Sequence, residues 1–386
     1  MNDYKNNIRW LIWIAPFKDL PISTAFVVPF FLNSGLGQAQ IFLLQSIFSV
    51  VFLLWNVPSG YLADRFGKAL SIKIGAPVAA IAMTAYGFSD HFWQFALCEV
   101  GLAIGEGLIN GADQALLIES LAKTKQSNSF VKISQRINAL AFASTAISVP
   151  IAILLVTHVG LGATLTADGL LFFVAAILAW RLKEVMIKTD NTENADLSAW
   201  RALINFIKQP KIRWLLILTV SLGSGPYLAF WLTAPYYASL GIPLILFSVL
   251  LAIRSIWKAW ISHKFHQNTG TRKSLIAYSM TNVTVFFGMA TQQIWLIWIV
   301  LGHDVIESLQ GPPIVEKINS FVSKQYRATL NSVVGISQRL IYVVIGPIIG
   351  LLVDKSGLRN GLIFAGATCS FVSLLAIARL AKLKIY

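Results

Sequence analysis

The stretch Gly60-Tyr61-Leu62-Ala63-Asp64-Arg65-Phe66-Gly67-Lys68 is a charged, glycine-bearing turn set between two apolar runs, Ala39 to Ala63 and Ala69 to Phe88. Each run has about the twenty residues that a helix needs to cross roughly 30 Å of hydrocarbon. The turn therefore reads as a short loop between two membrane helices, and the rest of the chain repeats the pattern. Of 386 residues, 56% are hydrophobic and only 12% charged, and mean hydropathy is positive. That leaves too little polar surface for a soluble protein of this length, so the composition indicates a polytopic membrane protein.

Apolar spans fall at roughly 8–33, 39–63, 69–89, 92–117, 130–157 and 163–183, then at 211–237, 243–265, 272–291, 293–319, 327–353 and 358–381. The first is too long for the core of a cleaved signal peptide and leads straight into a second span, so it reads as a retained helix. Glu184 to Gln209 is the one sizeable polar segment, with an interfacial helix over Leu197 to Ile207 as one reading. It divides the chain into an N-terminal bundle (1–183), a central cytoplasmic loop (184–209) and a C-terminal bundle (210–386).

A net charge of +14 in a soluble protein would suggest nucleic acid. Here Lys and Arg occupy alternate loops, the arrangement that orients a membrane protein, and a nucleic-acid partner is excluded on that ground. One set of connections carries Lys5 and Arg9, Arg65 to Lys73, Lys123 to Lys132, Arg181 to Arg213, Lys264 to Lys273, Lys317 to Arg327 and the tail from Arg379. The opposite connections at 33–38, 89–92, 158–168, 239–243 and 291–293 contain neither residue. Only Lys355 and Arg359 depart from the rule, so both termini are expected in the cytoplasm and the protein in a bacterial inner membrane.

The halves resemble each other. Ile133-Ser134-Gln135-Arg136 recurs as Ile336-Ser337-Gln338-Arg339, the same offset sets Gly270 opposite Gly67, and Glu106 and Glu307 fall in the fourth and tenth spans at nearly that spacing. This register indicates two parallel six-helix repeats. Within the opening turn, Gly60, Asp64, Arg65, Gly67 and Lys68 resemble the loop G-x-L-A-D-R-x-G-[KR] that joins helices two and three in the major facilitator superfamily. The resemblance implies an all-α integral membrane fold of 12 transmembrane helices in two pseudo-symmetric six-helix bundles. It also implies secondary active transport by alternating access, around a central site lined by spans one, four, seven, eight and ten. The sequence departs from the pattern at Ala69, and the second copy of the turn is degenerate, with His263 and Gln267 opposite Gly60 and Asp64. The fourth span lacks the arginine of many proton-coupled relatives. The glycine- and proline-rich stretch of antiporters is missing from 140–157, although Gly346-Pro347-Ile348-Ile349-Gly350 is similar to it.

A charge inside a bilayer costs roughly 2.5–3.5 kcal/mol on insertion scales, so the deep charges should face a cavity or a partner. Asp19 lies about 15 Å along the first span at about 1.5 Å per residue, with Lys18 beside it pointing about 100° away. Glu99, Glu106 and Asp113 recur every seven residues in the fourth span and share one stripe with Asn110 and Gln114, a path that a proton could follow. Gly101, Gly105, Gly107 and Gly111 around them suit close helix packing. In the tenth span His303 and Glu307 share a face, Asp304 adjoins them, and Pro312-Pro313 predicts a break. Arg254 and Lys258, also four apart, are stacked cations in the eighth span; Arg254 is too deep to reach water and should meet either a substrate anion or a carboxylate of the tenth. Gly223-Ser224-Gly225-Pro226 predicts a second break, in the seventh span.

These residues sort into three expected sets. Lys18, Arg254, Lys258, His303 and Asp304 bind substrate. Asp19, Glu99, Glu106 and Glu307 handle protons. Gly60, Asp64, Arg65, Gly67, Lys68, Asp113, Arg136 and Arg339 form a cytoplasmic latch, with Asp64 against a helix N-terminus or paired to Arg136. The expected cargo is a small polar solute, anionic or zwitterionic, moved with protons by a lipid-embedded monomer; efflux of a drug-like or metal-chelating compound is the alternative. No metal spacing or activated nucleophile argues for an enzyme, no soluble signalling domain argues for a receptor, and no cofactor is called for. Cys98 and Cys369 read as inert core residues.

Overall fold

The computed structural model describes residues 2–18, 20, 22–126, 129–185, 208–264, 270–322 and 343–385. These residues are helical, with no strand among them. The elements are α1 (Asn2–Lys18), α2 (Val27–Asn33), α3 (Gln38–Phe66), α4 (Lys68–Tyr86), α5 (Phe92–Ile109), α6 (Ala112–Lys123), α7 (Phe130–His158) and α8 (Gly162–Ala179). They continue as α9 (Pro210–Ser239), α10 (Leu246–Lys264), α11 (Arg272–Ala290), a 3-10 turn (Ile294–Val300), α12 (Leu301–Leu309), α13 (Gly311–Ser320), α14 (343–356) and α15 (Leu358–Lys382). Among the described residues six helical stretches are long and apolar enough to cross a membrane, including 68–86, 162–179 and 358–382.

Several expected spans are not single helices. The first is interrupted between Lys18 and Val27. The fourth breaks at Asn110, which is extended, and Gly111, whose φ of 83° favours glycine. The single carboxylate stripe is thereby corrected: Glu99 and Glu106 share α5, while Asp113 lies beyond the break in the first turn of α6. The tenth span begins as a 3-10 turn and passes into α12 and α13, with the junction at Gln310 just before Pro312-Pro313, as expected.

The expected break at Gly223-Ser224-Gly225-Pro226 does not occur. All four residues are buried within the continuous helix α9. The hydroxyls of Ser221 and Ser224 donate to the carbonyls of Leu218 and Val220, so the helix carries side-chain donors close to where proline removes a backbone one. Gly225 lets Asn282 of α11 lie against the backbone.

The chain forms two compact units. Unit 1 comprises Met1–Leu36, Leu44–Lys188 and Leu244–Ala252; unit 2 comprises Gly37–Leu43, Thr189–Pro243 and Ile253–Tyr386. In unit 1 a core of Leu116, Leu121, Ile72, Ala175 and Leu182 joins α4, α6 and α8. Small residues set its spacing: a Cβ on Gly75 would sit 2.6 Å from the Gly105 carbonyl oxygen, and one on Gly105 would sit 2.5 Å from the Ala79 nitrogen. Glycine at both positions lets α4 and α5 touch along their backbones, which favours dispersion contact where lipid offers no hydrophobic drive. Unit 2 packs Leu215, Leu218, Ile306, Ile314, Ile377 and Leu380 from α9, α12, α13 and α15. Cys98 and Cys369 are buried free thiols.

Candidate functional site

Within unit 1 lies a cavity of about 360 Å³ whose polar lining includes Lys18, Gln45, Tyr86, Glu99, Glu106 and Asp168. Each side chain is there for a local reason. The break after α1 leaves backbone donors without helical partners, and Asp168 of α8 takes two of them: its oxygens accept from the amides of Ile22 at 3.1 Å and Ser23 at 2.9 Å. Glu99 is buried on α5 and accepts from the Gln45 side-chain amide of α3. Tyr86 ends α4 with its hydroxyl near that carboxylate, and its ring lies tilted against those of Phe31 and Phe95, at 5.8 and 5.6 Å between centroids. Lys18, at the end of α1, reaches Asp113 at 3.5 Å, the long end of an ion pair. Glu106 lines the cavity about two turns further along α5, on the same face as Glu99.

Unit 2 holds a second set of charges. Arg254 of α10 and Asp304 of α12 form a bidentate pair, with Nε donating at 3.0 Å and Nη2 at 2.9 Å to the two carboxylate oxygens, and Asp304 is fully buried. One turn along, Lys258 meets Glu307 at 3.3 Å in a half-exposed pair. Of the two partners expected for Arg254, the carboxylate of the tenth span is the one present. His303 does not share a site with Glu307: it is buried edge-on to Phe286 at 4.6 Å, and neither ring nitrogen has a hydrogen-bond partner. Asn282 is likewise buried with both amide atoms unpaired.

The turn at Gly60 to Lys68 is built differently from the expected latch. Lys68 bridges Glu119 of α6 at 2.8 Å and Asp64 at 3.4 Å. It is Glu184, not Asp64, that sits at a helix N-terminus, accepting from the amides of Lys68 at 3.1 Å and Ala69 at 2.9 Å. Gly67, with φ of 111°, leaves room for that carboxylate where any Cβ would collide with it. Asp64 is two-thirds exposed, Arg65 donates to the Tyr61 hydroxyl at 2.9 Å, and Arg136 is exposed on α7, paired with neither Asp64 nor Asp113. Asp113 is taken by Lys18 instead. Asp19 and Arg339 lie outside the described residues, as does the repeat at 336–338.

The Major Facilitator Superfamily profile matches residues 20–344, most of the chain. The chain belongs to the Major Facilitator Superfamily. Its curated relatives in Escherichia coli (strain K12) include a protein described as "Probable L-galactonate transporter", 27% identical over 119 residues, and "Inner membrane transport protein YajR", 30% identical over 195 residues. The matches cover 31% and 46% of this chain and only 24% and 38% of those relatives, so the similarity to each is partial. Among solved structures, nucleoside transporter NupG aligns with a TM-score of 0.77 at 11% identity over 98% of this chain and 99% of its own. The D-xylose-proton symporter aligns at 0.75 and 11% identity, covering 96% of each chain. At such identity these two show the fold: an all-α integral membrane protein of the superfamily type. The relatives are transporters and not enzymes.

Several residues of this superfamily member escaped sequence reasoning. Asp168 lies near one end of its apolar span, where on sequence grounds alone a charge reads as needing no buried partner. The available signal was a carboxylate six residues into a span, which needs a partner. Glu119 and Glu184 lie just beyond the fourth and sixth apolar spans, and Gln45 and Tyr86 carry no mark beyond polarity within apolar runs.

Proposed function

We propose that this protein is a secondary active transporter that moves a small polar solute, bearing a carboxylate or similar anion, across the inner membrane by alternating access and together with protons. The observation that carries the reading is the unit 1 cavity, in which one ammonium, Lys18, shares the walls with Glu99, Glu106 and Asp168. Lys18 meets Asp113 at 3.5 Å, the long end of an ion pair, and is the cation we propose the solute anion engages. The three carboxylates oppose the same anion. Glu106 lines the same cavity on the α5 face that carries Glu99, and it is the group we propose relieves the repulsion by taking a proton. Proton and anion then bind better together than apart, and by linkage each strengthens the other to the same degree.

In unit 2, Lys258 is the more accessible cation, and Arg254, Asp304 and His303 form the buried frame behind it. These are proposed solute-side residues, with Glu307 the carboxylate that yields Lys258 to an incoming anion. The hydroxylated cargoes named for the partial relative and for the fold neighbours, L-galactonate, D-xylose and nucleosides, are compatible with a small polar solute.

Reconstitution in liposomes tests this. With gluconate as the probe hydroxy acid, an acid-outside pH gradient should drive accumulation. Glu106→Gln should abolish accumulation and keep counterflow at equal pH. Accumulation by Glu106→Gln equal to the wild type would remove the proton role, and no movement of any organic anion would remove the substrate class.

A further inference from the structure

One end of unit 2, where α9 begins and α13 and α15 stop, takes no part in the proposed solute sites. Lys208, Lys211 and Arg213 lie at the start of α9, Lys317 near the end of α13, and Arg379, Lys382 and Lys384 at the end of α15, against the single carboxylate of Glu316 among the described residues there. Leu215, Ile318, Val322 and Leu380 join the three ends in one core, and Trp214 and Phe321 pack half-buried against it. The Lys211 ammonium stands 5.7 Å over the Phe321 ring and the Arg379 guanidinium 5.8 Å over Trp214, within cation–π range. Lys211 and Trp214 are three apart on α9 and adjacent on its surface, so both cations flank the same indole. Among the described residues the side chains of Lys211, Arg379 and Lys382 make no hydrogen bond or ion pair. The two faces of α15 differ. One buries Cys369, Ser373, Ala376, Ile377 and Leu380. The other presents Phe371, Leu375, Arg379 and Lys382 in an exposed stripe, apolar first and cationic at the helix end.

We propose that this end of unit 2 binds an anionic phospholipid of the surrounding membrane, with its phosphate on Lys211, Arg379 and Lys382 and its acyl chains along Leu375 and Phe371. The stripe on α15 has the order of such a molecule, hydrocarbon in the span and charge at its end. A guanidinium stacked on a ring keeps its N–H edge available, and that edge matches a phosphate in a way a point charge does not. Orientation by charge needs cations only somewhere in the loop; it does not require them to be held over half-buried rings in line with an exposed apolar stripe. The excess of cations selects the headgroup. Phosphatidylglycerol brings a negative charge alone, whereas a headgroup with its own ammonium adds another cation to seven that face one carboxylate. A second copy of this chain would oppose the patch with the same sign of charge.

The test needs no transported solute. Full-length protein is released for native mass spectrometry from micelles holding equal amounts of phosphatidylglycerol and phosphatidylcholine with the same chains. Phosphatidylglycerol should be retained in excess, by roughly fivefold for each cation engaged. Lys211→Gln combined with Arg379→Gln should remove most of that excess, while Lys123→Gln combined with Lys125→Gln, an equal loss of charge in unit 1, should keep it. Thermal midpoints give the second measurement, since a ligand of the folded state raises apparent stability. Phosphatidylglycerol should raise the wild-type midpoint above phosphatidylcholine, and glycerol 3-phosphate, the headgroup chemistry without chains, should not. Equal retention of the two lipids by the wild type, a result that depends on no variant, would overturn the proposal. So would an equal loss of preference in both double variants, which would mean diffuse attraction to positive charge, or a shift with glycerol 3-phosphate matching that of the lipid, which would mean a soluble-phosphate site. A dimer formed without any lipid preference would assign the face to a second copy and overturn it too.

Discussion

Arg254 and Asp304 show how an intramembrane charge is made tolerable. The guanidinium is planar and presents two parallel N–H groups to two carboxylate oxygens, a match that lysine cannot make. Removing one partner leaves the other buried and uncompensated, which typically costs about 3–5 kcal/mol. Asp304→Asn should therefore lower the thermal midpoint of the purified protein markedly. Replacing both residues with apolar ones of similar volume should recover most of that loss, because desolvation of both charges is avoided. If Asp304→Asn melts with the wild type, the pair is not a structural element and Arg254 has another anion. Each charge of this set was legible in the sequence as an ionisable residue within a span. The partner was legible only as one of two alternatives, a substrate anion or a carboxylate of the tenth span, because the two residues lie 50 apart and packing alone brings Arg254 onto Asp304.

Among the elements, the breaks carry the most information. A backbone interruption at membrane depth is tolerated where its freed amides find partners in protein, and Asp168 supplies two acceptors across 146 and 145 residues of sequence. Asp168→Leu should strand the amides of Ile22 and Ser23, at about 1–3 kcal/mol for each donor left unmet. Asp168→Asn, which keeps one acceptor oxygen, should cost roughly half as much. Midpoints of thermal unfolding check the order Leu below Asn below wild type, and an unchanged midpoint in both variants would mean that the break is held by other contacts. Hydropathy located the first and fourth spans but treated each as a rod, since apolar content is indifferent to where a helix stops. The fourth-span break was foreshadowed only by Asn110-Gly111, a pair that turns favour. Its consequence is chemical: it separates Asp113 from the line of Glu99 and Glu106 and delivers it to Lys18. The opposite error came at Gly223 to Pro226, where two glycines and a proline argued for a break that buried packing does not allow.

For the whole molecule, orientation follows from charge. Lys and Arg crowd alternate loops, so both termini should lie in the cytoplasm, and reporter fusions to each end that are active only inside the cell would bear this out. A periplasmic signal from either fusion would invert the assignment of every loop. Family and class were readable before any coordinate was known, because membrane crossing is a property of local composition and the Gly60 to Lys68 turn is a contiguous motif. The same motif did not disclose its partners: Asp64 looked like the capping acid, whereas Glu184, 115 residues from Ala69, occupies the helix end and Glu119 takes Lys68. Hydropathy, charge and short motifs act over a turn or a loop, and at that range the chain alone specifies that it is an all-α member of the Major Facilitator Superfamily. Which carboxylate meets which cation, where helices stop, and which polar groups share a cavity depend on the facing of helices remote in sequence. Those outcomes were settled by packing, since a buried donor or charge must find its partner across space and not along the chain.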